Sequence, residues 1–181
     1  MNKSRRLRLY FWVFLALNLG YIAWSRNYLE PLHSKDIVQF EVAKTLPVAE
    51  RIMGEWSQAG KLEKARQSIW VDYIFIVLYS GLLITGVLLL SRSSGHVLLK
   101  RMGRFLSMLL PIAAICDIAE NIAMTQSLSG KATAFTVTLA YDMAVAKFSI
   151  IIIALIFLLI CILFWIGNRF TPKYRGLEVG N

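Results

Sequence analysis

Four long apolar runs alternate with polar, charge-bearing connections along the chain. They cover about residues 9–24, 70–90, 105–125 and 141–167. A helix needs ~20 predominantly apolar residues to cross a bilayer core, so each run reads as a membrane helix. The fourth lies in a helical stretch extending from Thr133 to Gly167, longer than a bilayer requires. It is therefore tilted or projects beyond the membrane. The first run carries aromatic residues towards both ends, Tyr10, Trp12 and Trp24, like interface anchors. Ala23-Trp24-Ser25 loosely fits a signal-peptide cleavage site, but the length and aromatic flanks favour an uncleaved helix. Trp70 and Trp165 also read as interface anchors. Gly81 and Gly86 read as positions of close helix packing. Pro111, inside the third run, frees the carbonyl of Ser107 and predicts a kink.

Residues 26–69 form the one sizeable polar region, and their charges nearly balance. A helical cap is predicted over about 34–60. Ser34 is a candidate N-cap, with Asp36 in the first turn of a helix to about Thr45. Pro47 suits the first turn of a second helix, on which Val48, Ile52 and Trp56 share a face with Ala49 and Met53 beside them. Gly60 suits the position that ends it. The cap is expected to lie on the outer membrane surface, too small to be an independent domain. The tail over 169–181, with Pro and Gly, reads as disordered. The predicted fold is all-α: one membrane domain over 1–181, a four-helix transmembrane bundle with a small extracytoplasmic helical cap between its first two membrane helices.

Composition sharpens this. Apolar residues make up 57% of the chain and charged residues 17%, against about 45–50% and roughly 25% in soluble domains. That excludes an ordinary soluble enzyme and a disordered chain. The net charge of +9 invites a nucleic-acid reading, but its distribution does not. Lys3, Arg5, Arg6 and Arg8 precede the first run, and Arg92, Lys100, Arg101 and Arg104 separate the second from the third. Arg169, Lys173 and Arg175 follow the fourth, while Lys131 alone lies between the third and fourth. This is the positive-inside pattern, with both termini cytoplasmic in a bacterial inner membrane. The expected partners are membrane lipids rather than nucleic acid. Cys116 and Cys161 fall inside apolar runs and form no C-x-x-C pair, so they read as small buried hydrophobes. His33 and His96 lie in polar connections, so no haem, di-iron or other metal site, and no cofactor, is expected.

Ionisable residues within membrane helices are costly and need a reason. Asp72, Asp117, Glu120 and Lys147 are of this kind, with Tyr79 and Asn121 as neutral companions. Asp142 instead reads as a solvated acid at the outer boundary. Counting ~1.5 Å per residue from the cytoplasmic ends puts Asp72 and Lys147 ~27 Å up, Glu120 ~22 Å, Asp117 ~18 Å and Tyr79 ~16 Å. Two levels follow, both in the outer half of the core: Asp72, Glu120 and Lys147 above, Tyr79 and Asp117 below. Asp117, Glu120 and Asn121 share one helix face, as do Asp72 and Tyr79. Asn18, near mid-membrane on the first helix, is a further candidate. Glu41 in the cap joins them if the cap folds over the cluster. Without Glu41, the three acids Asp72, Asp117 and Glu120 face a single Lys147. Carboxylates close together in low dielectric oppose one another's ionisation, so one is neutral or a cation supplies the difference. Such groups suit a ligand site or proton handling, and they also suit a network that fixes helix register.

Several stretches carry a resemblance: Phe40-Glu41-Val42-Ala43 followed by Trp56, Asp72-Tyr73-Ile74-Phe75-Ile76 with Tyr79, Asp117-Ile118-Ala119-Glu120-Asn121, and Lys147-Phe148. Together the chain resembles a family of small bacterial four-helix integral membrane proteins, with Asp-x-x-Glu-Asn on the third membrane helix as the most specific feature. The resemblance implies the four-helix fold and singles out the same polar residues. It brings no reaction with it. The Asp-rich pairs of prenyltransferases, the His clusters of desaturases and a rhomboid-like Gly-x-Ser are missing.

The leading expectation is a buried acidic/Lys site in the outer half of the bilayer that binds or handles a lipid or other amphiphilic small molecule. Its candidates are Asp72, Tyr79, Asp117, Glu120, Asn121 and Lys147, with Asn18 and Glu41 behind them. One alternative is a membrane-embedded acid–base enzyme of isomerase or cyclase type. Another is a structural or ion-coupled subunit of a membrane complex. A channel is disfavoured, because the cytoplasmic half offers little beyond Thr85 and Ser107 to line a path.

Overall fold

The computed structural model describes residues 3–170, with side chains for 4–168. The described residues contain helices and turns and no strand. The helices are α1 (Lys3–Tyr28), α2 (Ser34–Glu41), α3 (Leu46–Gln58), α4 (Leu62–Ser93), α5 (Val97–Gln126) and α6 (Ala134–Phe170), with a π-helical turn over Ser127–Lys131 between the last two. Four of them, α1, α4, α5 and α6, are long and apolar enough to cross a membrane. The protein is an all-α bundle of multi-pass membrane type.

The bundle is turned inside out relative to a soluble one. Apolar side chains such as Trp12, Trp70, Ile115, Ile153 and Leu163 are exposed on its outside, whereas Asn18, Asp117, Glu120, Asn121 and Lys147 are buried. In lipid the outward apolar surface meets an apolar solvent, and each helix satisfies its own backbone groups. Helices then associate through close packing. Gly81 admits the Phe14 ring of α1, which a Cβ there would overlap, and Gly86 lies against Phe11. Gly103 likewise lets α5 close onto Ser91 of α4. Polar links pin the register. Asn18 Nδ2 donates to Leu78 O (2.9 Å), Tyr21 OH to Val71 O (3.1 Å) and Asn168 Nδ2 to Ser94 O (2.7 Å). These antiparallel contacts bring the described ends of α1 and α6 to one end of the bundle, together with the α4–α5 turn.

All four membrane helices run past the predicted spans. Residues 62–69, expected in the polar connection, are the first two turns of α4. Arg66 there donates to Leu128 O (2.9 Å) and Lys64 to Tyr28 O (2.7 Å). Hydropathy falls at the bilayer edge, but nothing in Leu62–Ile69 breaks a helix, so the helix continues where the apolar signal stops. The segment α5 begins at Val97 and runs through Pro111 as one helix. Gly130, at φ +80, takes the left-handed conformation that turns the chain towards α6. The predicted disordered tail begins within α6, which extends to Phe170; its remainder, 171–181, lies outside the described residues.

The cap packs onto one end of the bundle: Phe40, Ile52 and Trp56 share a core with Ile69 of α4, Met124 of α5 and Val137 and Ala140 of α6. His33, not Ser34, caps α2, and its backbone N–H donates to Asp36 Oδ2 (3.1 Å). The helix ends at Glu41, short of Thr45. Pro47 does occupy the first turn of α3, and Gly60, at φ +67, follows its end. Ala49, Ile52 and Trp56 are the buried face of α3, while Val48 points outward.

A second core closes the opposite half. Val87, Leu106, Leu110, Ala154, Phe157 and Cys161 pack there with little or no exposure. Between the two cores lies the polar cluster.

Candidate functional site

Lys147 is the hub. Its ammonium donates to Asp117 Oδ1 at 2.7 Å and contacts Glu120 Oε2 at 2.8 Å and Glu41 Oε2 at 3.5 Å. Asp117 and Glu120 are neighbours on one face of α5, three residues apart. The lysine's four-carbon stem reaches both, so the two expected levels are one connected site; a ruler along the Cα atoms ignores side-chain reach. Tyr79 OH donates to Asp117 Oδ2 (2.8 Å), which continues the chain of contacts to α4. A second pair stands beside it: Asn121 Nδ2 donates to Asp72 Oδ2 (2.8 Å). Side chains from α2, α4, α5 and α6 thus converge at one place.

Two of the weaker candidates separate. Glu41, an ordinary solvated acid by default, is buried against Lys147, because the end of α2 folds down over the cluster. Burial pushes its carboxyl above the ordinary range, against the pull of the Lys147 ammonium. Asn18 is not part of the cluster. Its amide donates to Phe14 O and Leu78 O, so it ties α1 to α4. Asp142 is exposed on α6, as expected.

The cluster now holds four carboxylates, from Glu41, Asp72, Asp117 and Glu120, around one ammonium. Glu120 is fully buried and its Oε1 has no hydrogen-bond partner; Glu41 Oε2 also lacks one. Buried polar atoms without partners are uncommon enough to need a cause.

The cluster adjoins a cavity of about 640 Å³, which Glu41 lines and Glu120 does not. Arg26, His33, Ser34 and Val38 form an exposed rim where α1 meets the cap. Glu41, Asp72, Tyr79, Asp117, Asn121 and Lys147 supply the polar wall. Ile22, Phe75, Leu82, Leu83, Phe148 and Ile151 supply the apolar one. Along α4 the lining runs from Ser68 to Leu83, a rise of about 22 Å. Below Leu83 the second core fills the bundle, so the cavity has a closed end. The volume and the mostly apolar lining with a few convergent polar groups suit a small-molecule site. Sequence reasoning missed the rim and the apolar wall, since neither Arg26 nor Ile151 differs from any other residue of its run.

Among the described residues, no group of three or more His, Cys, Asp or Glu side chains is arranged to hold a metal ion. No family model, curated protein or solved structure matches the chain.

Proposed function

We propose that this protein binds or handles a lipid or other amphiphilic small molecule from the outer half of a bacterial cytoplasmic membrane. The carrying observation is the cavity itself, which joins a charged wall around Lys147 to an apolar one ending at Leu83 and Ile151. An amphiphile would place its polar head at Asp72 and Asp117 and its hydrocarbon against Ile22, Phe75 and Phe148. Under the same reading, Asp117-x-x-Glu120-Asn121 is the signature of a membrane-protein family built round such a site. The bundle end bearing Arg5, Arg6, Arg8, Arg92 and Arg101 faces the cytoplasm, following the positive-inside rule, and the cap faces outward.

A membrane acid–base enzyme is the second reading. The unbroken contacts from Tyr79 through Asp117 and Lys147 to Glu120 and Glu41 favour it, because they connect the cavity wall to buried proton-carrying groups. The apolar closure below Leu83 weighs against an ion-conducting subunit.

The test is native mass spectrometry of the intact protein released from its own membrane. The reading expects a one-to-one adduct of small mass on wild type, absent from the cavity-filling variant Ile151→Trp. Adducts that are equal in both, or absent from wild type, would count against it.

A further inference from the structure

We infer that the head group taken at this site is a cationic amine on a hydrocarbon tail, and that anionic head groups are refused. The inference rests on the amphiphile reading above and names the ligand class within it. Lys147 is the only cation of the polar wall, and an ammonium has three hydrogens to give. Asp117, Glu120 and Glu41 already surround it at 2.7, 2.8 and 3.5 Å. A phosphate or carboxylate would have to displace one of these carboxylates to reach it. Three carboxylates supply the acceptors of the remaining wall, beside the Asn121 amide and the Tyr79 hydroxyl, which donate to Asp72 and Asp117. Ionised Asp72, Asp117 and Glu41 accept hydrogen bonds and donate none. Glu41 is nine-tenths buried, lines the cavity, and its Oε2 is without a hydrogen-bond partner. An acceptor held there calls for a donor. A cation reduces the acidic excess of four carboxylates over one lysine, whereas an anion adds to it.

Arg26 and His33 stand at the mouth, and Arg26 is exposed, where water and salt screen it. They do not alter the sign of the buried wall. At ~30 Å³ per water-sized group, the cavity takes roughly 20 non-hydrogen atoms, enough for a small head and one chain.

The experiment uses the full chain in a neutral detergent and three probes with the same twelve-carbon tail: dodecylamine, dodecanol and dodecanoate. Binding is read as one-to-one adducts by native mass spectrometry and as a rise in melting temperature. Dodecylamine is expected to bind at least about tenfold more tightly than dodecanoate. Asp72→Asn should weaken dodecylamine about tenfold and leave dodecanol unchanged. Its amide oxygen still accepts from Asn121, so the local fold keeps its link. Leu82→Trp, on the apolar wall, should abolish binding of both. Dodecanoate binding as tightly as the amine, or amine binding indifferent to Asp72→Asn but lost in Leu82→Trp, would overturn the head-group inference and leave the cavity reading standing. Binding of all three probes that is indifferent to Leu82→Trp would overturn both.

Discussion

Lys147 and Asp117 meet at 2.7 Å with their side chains only 6% and 5% exposed, on two of the four helices long and apolar enough to cross a membrane. Removing one partner of a buried ion pair leaves a charge with neither water nor counter-charge, which typically costs about 3–5 kcal/mol. The cluster is asymmetric, however, since three carboxylates contact one ammonium and Asp72 stands beside them. Lys147→Met should therefore lower stability by about 3–5 kcal/mol. Asp117→Asn and Glu120→Gln each keep their volume and relieve the acidic excess. They should each cost about 1 kcal/mol, the centre of the range for single substitutions. Melting in detergent separates the cases. A Glu120→Gln protein that melts as low as Lys147→Met would show that the acids are needed as charges for folding.

The charge distribution predicts the orientation of the bundle. Gln58 at the end of α3 and Ser93 at the end of α4 are both exposed and lie at opposite ends. A membrane-impermeant thiol reagent added to intact cells should label Gln58→Cys and spare Ser93→Cys, with the wild type as blank for Cys116 and Cys161. Labelling of Ser93→Cys from outside would reverse the topology.

The two acids of α2 respond to pH in opposite directions. Asp36 is held below its ordinary value of 3.8: burial opposes this, but the His33 backbone N–H and Lys61 outweigh it. Its contribution is present at neutral pH and is lost as pH falls through that lowered value. Glu41 is raised above its ordinary value of 4.5, chiefly by burial. The folded state then holds its proton more tightly than the unfolded one, so stability falls as pH rises from 4.5 through the raised value. Melting curves across mildly acidic pH should show wild type losing ground to Glu41→Gln as pH rises. A constant difference between the two would mean that Glu41 titrates as it does in water.

Much of this was legible in the sequence because a membrane imposes simple rules. Charge-free runs show where helices cross, and a buried acid or lysine marks itself by its cost. Asp72, Asp117, Glu120, Asn121 and Lys147 could therefore be grouped from spacing alone. Where the cost argument lapses, so does the reading. Residues 62–69 carry Lys64 and Arg66 before the apolar run begins, and no hydropathy signal tells an extended helix from a loop there. Glu41 sits in a polar segment where an acid is unremarked, and only the packing of Phe40 and Trp56 onto α4–α6 carries it to Lys147. Asn18 shows the converse. A polar residue at mid-membrane needs a partner, but the carbonyl of Leu78 serves as well as a carboxylate, and periodicity does not choose between them. The cavity is a property of three-dimensional packing and left no mark on the order of residues.

The central claim is that the Lys147 cluster serves a bound molecule rather than folding alone. Retention of a co-purified small molecule, measured by native mass spectrometry on Asp117→Asn protein that melts within a few degrees of wild type, tests it most directly. Asp117 lines the cavity and accepts from Tyr79 and Lys147. Its amide variant keeps the volume and one acceptor oxygen for Lys147, and the Tyr79 hydroxyl can turn to accept from the new NH2, so it should fold and lose most of the adduct found on wild type. An Asp117→Asn protein that keeps the full adduct, or a wild type that carries none, would contradict the account.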